Sequence, residues 1–279
     1  MKGKRGILFF FLIVSGVVSA QDQKWKAWET EADTLFNHHQ FQEASVLYTK
    51  IIESTKLTDK SVYPSVYKRA VCFYSLGNFE KALEDLDVFI PAFPDMYRAK
   101  LLRAFVYKEL GDEKRQLIDL NEVLDAQPGN PDLLRMRAAI YLQQEEFKKA
   151  KEDLQIAKSL QDDSETEVYL GVVQYNLGDI DSALVCINRS IEMDATYMPA
   201  YLYAGSFCLQ EERYELGLKY LNLALRLEPK NTSALFYKGI ALVELKKVEL
   251  GCSCLAKAFY NGEDDAGGYL QQYCYSMDN

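Results

Sequence analysis

Histidine is almost absent from this sequence, and its scarcity narrows the chemistry that the chain can perform. The only two, His38 and His39, are adjacent, and no cysteine or carboxylate cluster lies near them at metal-ligand spacing. A solvated turn is their expected place, and no histidine elsewhere can form a Ser–His or Cys–His pair. Glycine-rich phosphate-binding motifs are also missing. We therefore expect a protein that is not an enzyme and that holds no metal and no cofactor.

Basic residues are the second deficit. The chain carries 32 Lys and Arg against 41 Asp and Glu, a formal net charge of −9. Such a balance gains nothing from phosphate backbones or anionic lipid headgroups, so we expect no nucleic acid partner and no binding to anionic membranes. Hydrophobic residues still make up 48% of the chain, which is enough for a packed core and argues against disorder.

Long hydrophobic runs are lacking as well, apart from one near the start. The apolar run at residues 7–18 is shorter than the roughly 20 residues that span a bilayer. Three basic residues precede it at positions 2–5, and Val18-Ser19-Ala20 follows as a small-residue cleavage site. This pattern predicts a signal peptide at residues 1–20, whose removal would change the formal charge from −9 to −12.

The first cysteine is Cys72, so no cysteine lies near the expected cleavage point to accept a lipid. We therefore expect a mature protein in the periplasm or secreted to the extracellular space, not a lipoprotein and without membrane insertion after cleavage.

A small residue, replaced by Gln116 in one unit, returns along the remainder of the chain at a nearly constant interval, with steps of 38, 34, 34, 33, 34 and 34. The series is Ala44, Ala82, Gln116, Ala150, Ala183, Gly217, Gly251. Twelve residues before each of these stands Ala or Gly, at positions 32, 70, 104, 138, 171, 205 and 239. A period near 34 indicates a helix–turn–helix repeat, in which small residues let the two helices approach closely.

This pattern resembles the tetratricopeptide repeat family, with small residues at the eighth and twentieth places of each unit. Glycines match the family's turn position and prolines its closing position, at Gly77, Gly111, Gly178, Pro94, Pro128 and Pro229. The resemblance implies an all-α fold, a right-handed superhelical solenoid of about seven helix–turn–helix repeats over residues 25–262. The family's tryptophan at the fourth place survives only as Trp28, so the copies are degenerate.

Two local expectations concern helix boundaries. Pro91 should end the second helix of the second unit early, because proline lacks the backbone N–H that a helix interior needs. The 38-residue step implies a longer connection around residues 56–64. After Tyr260 the repeat stops, and Asp264 or Asp265 could cap a last helix, so we expect residues 263–279 to form a C-terminal capping helix.

The end of the chain is similar to the closing segment of exported bacterial repeat proteins of this family. That resemblance implies a disulfide between Cys252 and Cys274, with Cys254–Cys274 as the rival pairing. The alternative is that all six cysteines are reduced, with Cys72, Cys186 and Cys208 acting as small core residues.

The resemblance further implies that first helices line a concave groove that binds a partner. The candidate partner-binding residues are Tyr67, Tyr74, Leu101, Phe105, Arg135, Tyr175 and Leu202. No unit shows the lysine and asparagine pairing with which related proteins hold a C-terminal carboxylate, which disfavours a co-chaperone role of that type. The alternative is that a tightly wound solenoid packs these residues against each other as core.

The leading functional hypothesis is a non-enzymatic protein–protein interaction scaffold, exported, that binds a peptide or a partner protein in the groove. Two alternatives remain: a carbohydrate-binding module that stacks sugars on tyrosines, and a structural subunit of a cell-envelope assembly.

Overall fold

The computed structural model describes residues 20–54 and 60–275, and side chains from Lys24 onward. All regular structure in these ranges is helical: fifteen α-helices and one 3-10 turn at Lys60–Val62, with no strand. This confirms the expected all-α fold. The predicted signal peptide lies outside the described residues except for Ala20, and so do residues 56–59 of the predicted longer connection.

The helices alternate between a first and a second member of seven pairs, which confirms the predicted number of repeats. The first helices are α1 (Ala20–Asn37), α3 (Tyr63–Ser75), α5 (Tyr97–Glu109), α7 (Pro131–Gln143), α9 (Ser164–Asn176), α11 (Met198–Gln210) and α13 (Thr232–Glu244). The second helices are α2 (Phe41–Ser54), α4 (Phe79–Ala92), α6 (Glu113–Ala126), α8 (Phe147–Leu160), α10 (Ile180–Met193), α12 (Tyr214–Leu227) and α14 (Val248–Tyr260). A last helix, α15, follows at Ala266–Tyr273.

The contacts between helices divide the chain after Val123 into an N-terminal unit and a C-terminal unit that starts at Leu124. Inside each unit, the two helices of a pair pack against each other, and the second helix also packs against the first helix of the next pair. This is the stacking that a repeat too small to bury its own apolar face requires.

A residue with positive φ connects the two helices of every pair. It is glycine in three pairs, at Gly77, Gly111 and Gly178, and another residue in four, at His39, Glu145, Glu212 and Lys246. In the second pair, Gly77 N–H donates to Tyr74 C=O and Asn78 N–H to Phe73 C=O, so the last carbonyls of α3 are paired. His39 therefore lies in the turn where the sequence placed it.

The small residues lie where the paired helices come closest. Ala44, Ala82 and Ala150 are fully buried, and so are Ala32 and Ala70. The glycines mark a still closer approach: a Cβ on Gly251 would lie 2.9 Å from the carbonyl oxygen of Gly239. The predicted reason for these small residues is thus confirmed.

Pro91 does not shorten its helix, and the expectation that it would do so was wrong. Helix α4 has 14 residues, as α6, α8 and α10 do, and Pro91 is its next-to-last residue. The missing donor affects only the last turn, where Phe93 N–H still donates to the carbonyls of Phe89 and Ile90. A proline there leaves the helix interior intact.

The C-terminal helix α15 packs against α14 and α13 through Ala266 and Leu270. Asp265 occupies its N-cap position but makes no side-chain capping hydrogen bond. Cys252 of α14 and Cys274 form a disulfide, with Cα atoms 5.8 Å apart, which is the pairing that the resemblance implies. The remaining four cysteines are free; two of them are buried, Cys72 and Cys208.

Candidate functional site

The N-terminal unit presents the first four candidate residues on α3 and α5. We call Tyr67, Tyr74, Leu101 and Phe105 the N-terminal first-helix face; all four are half-buried. The ring centroid of Tyr74 lies 6.4 Å from that of Phe105, so an aromatic contact connects α3 to α5. The Tyr67 ring lies 5.2 Å from Phe89 of α4, so it rests on the core between the helices.

Burial raises the pKa of the Tyr67 phenol, an effect that nearby Arg98 opposes. Burial and Glu109 both raise the pKa of Tyr74. Because both phenols stay neutral at physiological pH, this face offers rings and hydroxyl groups but no tyrosinate charge.

In the C-terminal unit, Arg135 is held by carboxylates of its own chain. Its side chain is buried, 6% exposed, and its guanidinium donates to Asp163 Oδ2 at 2.8 Å, to Thr166 Oγ1 at 3.1 Å and also to Asp132. A third carboxylate, Glu165, lies 3.2 Å from its Nε. The guanidinium therefore holds the start of α9 against α7.

Tyr175 and Leu202 keep more of their surface free. The Tyr175 ring stacks on Phe207 of α11 at 4.1 Å with an interplanar angle of 3°, and its hydroxyl donates to Glu211 at 3.4 Å. Leu202 is partly buried against the core between α11 and α13. Burial, more than the Glu211 carboxylate, raises the pKa of Tyr175.

Sequence reasoning missed a row of tyrosines on the same helices. Tyr169, Tyr203 and Tyr237 lie on α9, α11 and α13 at intervals of 34 residues, each half-buried. Their hydroxyl groups form no hydrogen bond with any residue that the structure describes. The signal was present, because tyrosine recurs at 34-residue intervals in three successive units. The resemblance implies the preceding position, that of Leu202, as a groove position, and not this one.

A cavity of about 340 Å³ opens between α7, α9 and α11 beside this row. Its walls are mainly apolar and aromatic, from Ala139, Leu142, Tyr169, Val172 and Tyr203, and the polar side chains Gln143 and Asn176 complete them. The volume falls in the range of ligand-binding pockets, about 300–1,000 Å³. We refer to the tyrosine row and this cavity together as the C-terminal first-helix face.

Carboxylates surround this face. Burial is the main cause of the raised pKa of Tyr169, with Glu165 adding to it, and of Tyr237, with Glu263 and Asp265 adding to it. Helix α11 carries no charged residue, and α9 carries only glutamates. Among the charged side chains that shift the pKa of Tyr169 and Tyr237, the one cation is the buried Arg135, beside Tyr169, and the others are carboxylates.

Other residues of the first helices are core. Val168 of α9 is 2% and Phe236 of α13 is 9% exposed, so in the C-terminal unit these side chains pack within the protein. The tyrosines keep one surface free. The two alternatives of groove and self-packing therefore each describe part of the same helices.

Within the described ranges, no group of three or more His, Cys, Asp or Glu side chains is arranged to hold a metal ion. Among the same residues, no helix combines the length and the apolar character that crossing a membrane requires.

Residues 65–95 match the family model described as "Tetratricopeptide repeat". No curated protein matches the sequence. Several solved structures share the fold. A tetratricopeptide repeat protein from Parabacteroides merdae is 13% identical with a TM-score of 0.78, over 89% of this chain and 98% of that one.

Two other structures match at lower TM-scores. PilF of Pseudomonas aeruginosa is 16% identical with a TM-score of 0.58, over 75% of this chain and 97% of that one. The hetero-tetramer Cut9–Hcn1 of the APC/C includes a chain that is 16% identical with a TM-score of 0.64, over 94% of this chain and 57% of that one. At such identities the likeness concerns the fold.

Proposed function

We propose that this chain, which has the fold of the tetratricopeptide repeat proteins, is an interaction scaffold that binds a segment of a partner protein on its first-helix faces. The observation that carries the proposal is the set of half-buried aromatic rings on these helices, among them Tyr67, Tyr74, Phe105 and Tyr175. Aromatic side chains dominate binding energy in protein interfaces, since they bury much area at low entropic cost.

Assembly with other proteins also suits the fold, since one chain of the Cut9–Hcn1 hetero-tetramer shares it. Arg135 has a different role in this proposal from the one that the sequence suggested. With its guanidinium engaged by Asp132, Asp163 and Glu165, it orients α9 and does not reach a partner.

We also propose that the chain works outside the cytoplasm. The disulfide between Cys252 and Cys274 supports this, because structural disulfides persist in oxidising compartments and are rare in reducing ones. Cell fractionation with thiol labelling tests it: we expect the protein in the periplasmic or extracellular fraction with both cysteines protected. Recovery of reduced protein from the cytoplasm would contradict the proposal.

The test of the scaffold function is an affinity capture with matched variants. The full chain is immobilised, partners are captured from cell-envelope extract, and the same capture is repeated with Tyr74→Ala combined with Phe105→Ala. We expect the captured protein to be lost from this double variant. Tyr260→Ala serves as the control, because Tyr260 is 84% exposed on α14, a second helix that belongs to neither face.

Two outcomes would contradict the scaffold proposal. One is a partner that is captured equally by the double variant and the wild type, which would place the contacts on other surfaces, as a structural subunit requires. The other is retention on polysaccharide with no protein captured, which would indicate the carbohydrate-binding alternative.

A further inference from the structure

We propose that the C-terminal first-helix face takes a basic segment, with Lys or Arg side chains laid over its tyrosine rings and toward the carboxylates of Glu263 and Asp265. This inference rests on the proposed scaffold function and adds the chemistry of the partner. It is carried by two features of the described residues: phenol groups without a hydrogen bond and carboxylates without an ion pair.

Among the residues that the structure describes, three phenol groups on the C-terminal first-helix face lack a hydrogen bond. Tyr169, Tyr203 and Tyr237 follow one another on α9, α11 and α13, and their hydroxyl groups make no hydrogen bond inside the described part of the chain. Each hydroxyl can accept a hydrogen bond from an ammonium or guanidinium group. The negative face of each ring also attracts a cation within about 6 Å of its centroid. The row thus repeats one cation-binding element three times.

The carboxylates at the α15 end of the row have no counter-ion. Among the described residues, Glu263 and Asp265 form no ion pair. The Glu263 carboxylate accepts one hydrogen bond, from the Ser233 hydroxyl at 3.3 Å. Glu263 and Asp265 both lie near enough to the Tyr237 phenol to raise its pKa, so rings and carboxylates meet at one place.

The opposite end of the row is negative as well. Arg135 faces three carboxylates there, Asp132, Asp163 and Glu165, so one positive charge is set against three negative ones. An acidic or phosphorylated segment would meet repulsion at both ends of the row, whereas a basic one would complement them. The apolar walls of the cavity beside Tyr203 would take an aliphatic side chain or the methylene stem of a lysine.

The N-terminal first-helix face differs in its charges, so the inference applies to one face and not to both. Beside Tyr67 stands Arg98, whose charge opposes the burial effect on that phenol, and Lys108 lies at the end of α5. Charges of both signs occur there, so we infer a basic partner for the C-terminal face only.

The experiment uses the full chain and two fluorescein-labelled peptides of equal length with the same leucine spacing. One peptide has lysine at all other positions and the other has glutamate. By fluorescence anisotropy, we expect the lysine peptide to bind at least about tenfold more tightly than the glutamate peptide. We also expect its affinity to fall as salt is raised, since exposed charges are screened.

Two variant sets locate the binding. Glu263→Gln with Asp265→Asn should weaken lysine-peptide binding by about tenfold, whereas Glu192→Gln with Glu215→Gln, the same charge change on exposed residues of α10 and α12, should leave it within about twofold. Tyr203→Ala should weaken binding by about five- to tenfold, and Tyr203→Phe by less, because phenylalanine keeps the ring face.

The outcomes separate this inference from the scaffold proposal. Equal binding of both peptides, reduced alike by Tyr203→Ala, would overturn the charge preference and leave the scaffold function standing. Lysine-peptide binding that falls equally in both double variants would show diffuse attraction to an acidic protein and would overturn the inference. Failure of both peptides to bind would overturn it too, while the capture experiment decides the scaffold function separately.

Discussion

Single side chains decide how closely the two helices of a pair can pack. Gly251 lies on α14 opposite Gly239 of α13, and a Cβ added to it would meet Val243 Cγ2 at 2.7 Å and the Gly239 carbonyl oxygen at 2.9 Å. A backbone oxygen cannot move aside as the end of a flexible side chain can. This is why a residue with poor helix propensity stands inside a helix.

Gly251→Ala should therefore destabilise the protein by about 1–3 kcal/mol through overpacking, despite the gain in helix propensity. The free energy of unfolding in urea, followed by circular dichroism, measures the effect. Gly268→Ala in α15 is the control, since nothing lies within 4 Å of its added Cβ. That change should be neutral or stabilise by up to about 1 kcal/mol. A stabilised Gly251→Ala variant would contradict the close approach.

The turn residues allow a prediction of opposite sign. Glu212 has a φ of 56° at the place where three other pairs have glycine. A left-handed conformation costs an L-residue with a side chain roughly 1–2 kcal/mol, and glycine avoids this cost. Part of that advantage is offset, because glycine has more conformational freedom to lose on folding.

We expect Glu212→Gly to raise the free energy of unfolding by about 0.5–1 kcal/mol. The reverse change, Gly178→Ala, should lower it by a similar amount or more, since Gly178 has a φ of 83°. A urea titration of both variants against the wild type measures the two shifts, and shifts of equal sign would refute this account of the turn.

Pairs of helices are tied by an ion pair that recurs with the repeat. Arg69 with Asp85, Arg103 with Asp119 and Arg137 with Asp153 each join a first helix to its second helix, at 2.6–2.8 Å. The carboxylates are nearly inaccessible, at 5%, 1% and 5% exposure. In the next pair, the same two places are Leu170 and Cys186, so the fold accepts an apolar combination there.

Removing one partner of such an ion pair and replacing both partners should therefore affect stability differently. Asp85→Ala leaves the Arg69 guanidinium without its buried partner and should destabilise by about 3–5 kcal/mol. Arg69→Leu with Asp85→Cys copies the combination of the fifth pair and should recover stability to within about 1 kcal/mol of the wild type. Urea unfolding of the single and double variants tests this. A double variant no more stable than Asp85→Ala would contradict it.

These helix-level features also show what the sequence could and could not predict. Small residues at a fixed spacing predicted the helix pairs and their contacts, because one-dimensional periodicity translates directly into a repeated packing unit. The arginine–aspartate pairs lie 16 residues apart on two different helices, so their contact depends on the interhelical geometry. The same geometry decides that Val168 is core while Tyr169, its neighbour, is half-buried. Spacing alone carries no information on that depth.

In the intact molecule, the half-buried tyrosines of the C-terminal first-helix face should make stability sensitive to alkaline pH. Burial raises the pKa of Tyr169, Tyr203 and Tyr237 in the folded chain, whereas an unfolded tyrosine titrates near about 10. Above that pH the unfolded chain binds fewer protons than the folded chain, so stability is fully present below about pH 10 and decreases as pH rises further.

Urea midpoints at about pH 8 and about pH 11, with the tyrosinate absorbance recorded in parallel, test this dependence. Stability should be lower at the higher pH, and the loss should be smaller in Tyr203→Phe, which cannot ionise. An equal loss in both proteins would show that this phenol does not contribute.

The C-terminal end of the molecule depends on a covalent link. Helix α15 has eight residues, fewer than the roughly 12–15 that an isolated helix needs, so its order comes from packing through Ala266 and Leu270 and from the disulfide. The disulfide joins residues 22 apart in sequence, and a loop of that size corresponds to about 3 kcal/mol in the chain-entropy account.

Cys252→Ser with Cys274→Ser should therefore release α15 before it affects the rest of the chain. By hydrogen exchange, we expect faster exchange at residues 266–273 and in adjacent parts of α14, with little change in α3 and α4, because a repeat interacts mainly with its neighbours.

Cys254→Ser, which removes a thiol from the same helix without affecting the disulfide, should leave the exchange rates unchanged. Uniform acceleration across all helices would mean that the link stabilises the chain as one cooperative unit, and unchanged rates at α15 would mean that packing alone holds it. Because Asp265 and Glu263 lie at the start of this helix, its release should also weaken binding of the lysine peptide, which connects the end of the molecule to its binding face.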